Sequence, residues 1–245
     1  MSQLFREEAK DIFRIFVPFE SVYTSVFLIK SRKLLIDCGT YASDIDEYVI
    51  PALTEIGVLL DDIQYILLTH SHTDHSGGLN TLLQKSFANV KVITATENRD
   101  CILKDIEIIE LKGHSEDSIG VIECKTNSLI SGDAIQLYGI GRFGCGVVNG
   151  KEYLETLDKL SRCNFENIFA AHNYAFLGER AVGKKQVEKY ISEAKKNYLE
   201  IVTYVKEKVS QGISDIIQIQ TNFLRDFQGY PKPQTFAIQD IINNL

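Results

Sequence analysis

No stretch of the 245-residue chain approaches the roughly 18 consecutive apolar residues that a membrane span needs. The opening segment, MSQLFREEAKDIFRIFV, mixes acidic and basic residues before any apolar run, unlike a secretory leader. The expectation is a cytoplasmic protein with no membrane partner. An excess of basic residues is missing too: 26 Lys and Arg stand against 33 Asp and Glu, a formal charge of −7. Surfaces that bind phosphate backbones or anionic lipid rely on clustered Lys and Arg, so nucleic acid is set aside as a partner. The five cysteines (Cys38, Cys101, Cys124, Cys145, Cys163) are scattered, odd in number and without a CxxC pair. That excludes a disulfide framework and a thiolate zinc site, leaving buried free thiols. There is no internal repeat and no low-complexity segment. What remains, 44% apolar and 24% charged, is the composition of an ordinary globular chain long enough to bury a core.

Along that chain, IFRIFV, SVFLIK and KLLIDCGT are β-rich runs with short polar breaks, read as strands with a hairpin between the second and third. SDIDEYVIPALTEIG follows as a helix capped by Ser43 or Asp44, with Pro51 marking a kink or the first turn of its second piece. IQYILLTH is a short apolar strand. GLNTLLQKSF reads as a helix, VKVIT as a strand, ENRDCIL as a helix, then IEIIEL, IGVIEC and SLISGD as strands. GKEYLETLDKLSRC is helical and ENIFAAH is expected to be the last strand. Two β-rich halves, each followed by helices, point to stacked sheets with helices outside. From Gly183 the character changes to one long amphipathic helix, whose apolar seam is Val187, Ile191, Ala194, Tyr198, Ile201 and Val205. Under three heptads long, that seam suits packing on the chain's own body better than a homodimeric coiled coil. PQTFAIQDIINNL closes the chain as a short docking helix. The division is a domain over 1–182 and a helical extension over 183–245.

Histidine is scarce and concentrated. Three of only five lie within LLTHSHTDHSGGL, as His70, His72 and His75, with Asp74 among them. His70 and His72 follow an extended strand, where residues two apart project to one side and can reach one cation. A turn then sends Asp74 and His75 towards a second point nearby, and Gly77 and Gly78 are expected to lend that turn its backbone freedom. A histidine-rich solvated loop is the bland alternative, but HxHxDH at the end of an apolar strand is far more specific for metal. The other two histidines, His114 in KGHSEDSIG and His172 in ENIFAAH, and Asp133 in LISGDAI, also sit at strand ends, where convergent ligands are expected. No histidine is left for another purpose.

With HSHTDH, GHS, SGD and a strand-end histidine in this order, residues 12–175 resemble the metallo-β-lactamase superfamily, and IGRFG after Asp133 is weakly similar to glyoxalase II. LLIDCGT, with Asp37, matches the strand that precedes the motif. The resemblance implies an α/β fold, an αββα sandwich with its site on one edge. It implies that His70, His72 and His114 hold a first metal, Asp74, His75 and His172 a second, and that Asp133 bridges them. The bridging position carries Asp where true metallo-β-lactamases have Cys, which disfavours antibiotic hydrolysis. His72 stands where flavodiiron oxidoreductases have Glu, and AAHNYAFLG replaces a turn common among thioesterases of the family.

Imidazoles with carboxylates suit zinc, the expected metal, and also iron or manganese. Water shared by two such ions ionises near pH 7, so a metal-bridging hydroxide is the expected nucleophile, with Asp133 bridging and Asp74 orienting. Asp37 is expected to hydrogen-bond the ligand loop from behind. Tyr138 is a candidate donor to an oxyanion and Arg142 a candidate receiver of a substrate carboxylate, although packing or a surface ion pair suits each better. The expected function is a dinuclear metal-dependent hydrolase of a small-molecule ester-type bond, thioester or lactone first. The alternatives are a mononuclear iron sulfur dioxygenase using His70, His114 and Asp133, a small-molecule phosphodiesterase, and a metal-binding sensor with little turnover. Residues 183–245 are expected to cover the mouth of the site, with Tyr190, Tyr198 and Tyr204 available to line it or, more simply, to pack.

Overall fold

The computed structural model describes residues 4–19, 22–86, 88–97 and 103–245. Strands β1 (Phe5–Ala9), β2 (Ile12–Phe19), β3 (Val22–Ile29), β4 (Leu34–Ile36), β5 (Tyr65–Leu67) and β6 (Lys91–Ile93) form one sheet in sequential order. The first four run antiparallel and the last three parallel. The second sheet has the order β11-β10-β9-β8-β7, from β7 (Ile106–Glu110), β8 (Ile119–Glu123), β9 (Ser128–Gly132), β10 (Asn167–Tyr174) and β11 (Gly178–Val182). Ile12, Phe27, Ile29, Leu34 and Ile36 of the first sheet meet Val121, Ile130 and Phe169 of the second in an apolar layer between them.

Alternation along β2 and β3 sends the other set, Ile15, Val17, Val26 and Leu28, outward against a helical layer. That layer is α1 (Ala42–Asp44), a π-helical turn (Ile45–Val49) and α2 (Ile50–Ile56), with α3 (Thr73–Ser76) and α4 (Leu79–Lys85) beyond the histidine cluster. The helix over 42–56 starts at Tyr41 rather than at Ser43 or Asp44. Asp44 serves from inside its first turn, accepting from the backbone N–H groups of Thr40 and Tyr41, both at 2.8 Å. Pro51 lies in the first turn of α2, directly after the π turn, where a missing N–H costs least.

The outer face of the second sheet is covered by α5 (Gly150–Arg162), α6 (Lys184–Ser210), α7 (Ile216–Asp226) and α8 (Thr235–Asn243), which share one core with Leu129, Ile168 and Ala170. The arrangement is therefore helix, sheet, sheet, helix. All six seam residues of α6 are buried in that core, so the seam packs on the body as expected. Val187, Ile191, Ile201 and Val205 each contribute roughly 1.5–3 kcal/mol by leaving water, which is why the tail is not a loose appendage. Strand β10 is not the last strand: β11 follows it across a tight turn. Strands β1 and β11 and helix α7 escape sequence reading, the two strands because FREEA and GERAV are charged edge segments with little apolar alternation. The helix expected over ENRDCIL falls almost wholly outside the described residues. No helix among the described residues is long and apolar enough to cross a membrane.

Candidate metal centre

Every histidine of the chain reaches one rim of the sandwich. His70 follows β5, and His72 caps α3, whose first residues carry Asp74 and His75. His114 comes from the loop after β7, Asp133 directly follows β9, and His172 lies near the end of β10. Gly77 and Gly78 permit this, but not through unusual torsions, since their φ values of −64° and −80° suit any residue. A Cβ at Gly77 would stand 2.0 Å from the Thr40 carbonyl oxygen, and one at Gly78 2.2 Å from that of Cys38. The glycines are needed because the ligand loop lies flat on the chain after β4.

Two clusters result, and within each the potential ligand atoms lie within 4.8 Å of one another. In the first, the Nε2 atoms of His70 and His114 each stand 3.0 Å from Nδ1 of His72. Nδ1 of His114 donates to the Gly146 carbonyl at 2.6 Å, which leaves Nε2 as the lone-pair nitrogen facing the cluster. Burial, with the neighbouring imidazoles, pushes the His70 pKa well down; burial also lowers that of His114. Both rings are thus neutral and able to act as ligands.

In the second cluster, Nε2 of His172 stands 3.2 Å from Asp74 Oδ2 and 3.2 Å from Asp133 Oδ1, and Nε2 of His75 is 3.4 Å from Asp74 Oδ2. Although buried, neither Nε2 makes a hydrogen bond of proper geometry. Orphaned buried nitrogens aimed with two carboxylates at one point fit a shared cation. Without one, the carboxylates draw protons to the imidazoles. Burial lowers the His172 pKa, but the Asp133 charge and the adjoining Asp74 carboxylate raise it to about 9. His75 is likewise raised against burial by Asp37 and Asp133.

Asp133 faces both groups, with Oδ1 towards His172 and His75 and Oδ2 3.7 Å from Nε2 of His114. Burial disfavours its charge, but His172 and His75 hold it ionised well below the ordinary range. Asp37, in the left-handed region at φ 63°, accepts from Nδ1 of His75 at 2.8 Å and from the backbone N–H and the hydroxyl of Thr69 at 2.7 and 2.8 Å. It thus hydrogen-bonds the ligand loop from behind.

Beside the clusters is a cavity of about 180 Å³, walled by Phe19, Ile140, Phe143 and Phe236 and by Gln136, Gln234 and Tyr174. A larger groove of about 630 Å³ along α6 holds none of the candidate ligands. Tyr138 does not reach the cavity; its hydroxyl donates to Glu193 at 2.9 Å and its ring packs on Phe176 and Tyr230. Arg142 lies outside as well, its guanidinium 4.9 Å from the Phe143 ring centre. The tyrosine at the site is Tyr174, whose hydroxyl donates to Asp133 Oδ1 at 3.0 Å. Its position two residues after His172, on the same side of an extended strand, was the available signal. From the tail, Gln234 and Phe236 reach the cavity, while Tyr190, Tyr198 and Tyr204 are buried core residues.

Residues 18–100 match the family model described as metallo-beta-lactamase superfamily. The chain carries a metallo-beta-lactamase superfamily domain. Among relatives, "Beta-lactamase-like protein 2 homolog" of Caenorhabditis elegans is 24% identical, over 78% of this chain and 68% of that protein. "Hydroxyacylglutathione hydrolase 1" of Vibrio vulnificus (strain YJ016) is 25% identical, over 91% of this chain and 87% of that one. A metallo-beta-lactamase family protein of Thermus thermophilus shares the fold at a TM-score of 0.65, with 14% identity over 98% of this chain and 93% of that one.

Proposed function

We propose that this metallo-beta-lactamase superfamily protein is a dinuclear metal-dependent hydrolase of a small ester-type bond, thioester or lactone first. His70, His72 and His114 hold one divalent ion, zinc as the first expectation. Asp74, His75 and His172 hold the other, and Asp133 serves both. The observation that carries this reading is the placement of Asp133, with one carboxylate oxygen towards each cluster. Relatives named hydroxyacylglutathione hydrolase bring a thioester to the front of the substrate classes. Two divalent ions supply, when bound, a hydroxide nucleophile at neutral pH and a Lewis acid for the developing oxyanion.

The chain's own part is orientation and exclusion of water. Asp74 is the ligand carboxylate most open to the cavity. Burial opposes its charge, yet the imidazoles of His172 and His75 beside it keep it ionised, and its oxygens can hold and aim an attacking water. Tyr174 restrains Asp133 through Oδ1. Phe19, Ile140, Phe143 and Phe236 give a compact acyl group an apolar wall, and Gln234 offers an amide to its polar end. Phe143 and Gly144 are tied to the tail, because Gly144 N–H donates to the Lys232 carbonyl at 2.7 Å, which seats Gln234 and Phe236 over the cavity.

The test is elemental analysis of protein expressed in metal-replete medium, with turnover on a thioester and lactone panel and oxygen uptake on a persulfide. Two ions per chain and turnover on the panel support the reading. One iron with oxygen uptake assigns the sulfur dioxygenase instead, and one ion or none in folded, inactive protein defeats the dinuclear mechanism.

A further inference from the structure

We infer that the buried Arg14–Ser25 pair is a positioning device for His172, taking over the hydrogen bonding of β10 where that strand breaks register with β11 just before the imidazole of the second cluster. The inference rests on the dinuclear reading for what His172 does, but not for how it is held.

The starting observation is a charged residue in the wrong place. In IFRIFV, Ile12 and Arg14 share the face of β2 that looks between the two sheets, and Phe27, paired with Arg14 across β3, belongs to the same apolar layer. Arg14 is nonetheless fully buried, its guanidinium 4.5 Å from the Phe27 ring centre. A buried cation is costly and persists only where its donors and charge are met.

The charge is met by Glu8, which also accepts from Arg6 at 2.5 Å and Arg180 at 3.1 Å. Burial opposes the Glu8 charge, but Arg14 and Arg6 hold its carboxyl below the ordinary range. The remaining donors go across to the second sheet. Nη1 of Arg14 donates to the Ala170 carbonyl at 2.7 Å and to the Ser25 hydroxyl, and Nη2 donates to the Glu179 carbonyl at 3.1 Å. Ser25 in turn donates to the Ala171 carbonyl at 2.6 Å.

Those carbonyls lie where β10 breaks register with β11. Its pairing runs as far as Phe169 with Arg180 and resumes at Tyr174 with Gly178, so β10 passes Ala170, Ala171, His172 and Asn173 while β11 passes only Glu179. Backbone polar groups buried in such a break need partners. Arg14 and Ser25 supply them for the two residues immediately before His172. Nδ1 of His172 then donates to the Tyr23 carbonyl at 2.8 Å, on the same strand as Ser25. The imidazole is thus fixed from the first sheet by its own hydrogen bond and by both preceding carbonyls. Tyr174, one step past Asn173, is carried to Asp133 by the same excursion.

The experiment uses full-length Ser25→Ala, which removes only the hydroxyl, and Arg14→Lys, which keeps the charge but loses the planar fork. Exchange of the His172 Nδ1 proton is followed by NMR in the metal-free protein, with the His114 Nδ1 proton, bonded to Gly146, as internal control. Zinc and manganese affinities of the two sites are measured by competition titration. The expected result is faster exchange at His172 with His114 unchanged, and a loss of about tenfold in second-site affinity with the first site unaltered. Unchanged His172 exchange and equal affinities, even alongside a lower Tm, overturn the inference and leave the pair as a core staple. If the wild-type protein takes up no second ion, the dinuclear reading fails, while the two exchange rates still decide the positioning role.

Discussion

The two clusters at the rim differ in how they are charged, although Asp133, a member of the second, also faces the first. The first is built of imidazoles alone, and burial keeps His70 and His114 neutral. The second places His75 and His172 among Asp37, Asp74 and Asp133, and there burial loses to the carboxylates, so the rings hold protons when no cation is present. A cation entering the first cluster meets the free lone pairs of His70 and His114. One entering the second must displace protons. The same residue type is therefore tuned in opposite directions within a few ångströms, by the number of carboxylates that share its pocket.

The largest expected effect comes from removing what the clusters share. Asp133→Ala should weaken both ions by more than the roughly 10–100-fold typical of an outer partner and abolish hydrolysis; loss of only one ion would show that Asp133 does not bridge. His172→Ala should separate the clusters, emptying the second while zinc stays in the first, as read by metal titration. Asp37→Asn is expected to cost the second ion about 10–100-fold in affinity. Asn tolerates the left-handed backbone at this position, so the change removes, without backbone strain, the Oδ2 acceptor that His75 Nδ1 shares with the Thr69 hydroxyl. An unaltered second constant would remove Asp37 from the site.

The pH response should divide the clusters more gently. His172 has its pKa raised from 6.5 to about 9, so in metal-free protein its contribution to stability is complete below pH 6.5 and is lost as pH rises through about 9. Thermal unfolding of metal-free protein between about pH 6 and 9.5 should show that decline, and His172→Gln should flatten it. Second-site affinity should rise with pH over the same interval more steeply than first-site affinity. The smallest effect is expected of Tyr174→Phe, which removes one hydrogen bond to Asp133, worth about 1 kcal/mol, and should lower turnover several-fold with both ions retained.

Much of this was legible in the chain alone, because it is local. His70, His72, Asp74 and His75 lie within six residues, so their convergence follows from strand and turn geometry. The α6 seam is equally local, a 3.6-residue period that buries one face wherever the helix lies. The structure brings His70, His72 and His114 together in one cluster and Asp74, His75, Asp133 and His172 in another. Tyr138 packs away from the site, the reading favoured for it, and α6 offers Glu193 to its hydroxyl; five residues after a strand end carry no directional information.

By itself, then, the sequence determined the kind of site, its metal-suited donors and the periodicities of its main elements, all properties of neighbours along the chain. Tertiary structure alone decided which carboxylate oxygen faces which cluster, that Tyr174 rather than Tyr138 touches Asp133, and that Gln234 and Phe236 line the cavity. It also decided what Arg14 is for. Its partners are backbone carbonyls some 156 residues away, exposed by a register break in β10 that only the pairing of three strands creates. A carbonyl has no residue type, so a sequence cannot advertise which of its carbonyls will be left without a partner.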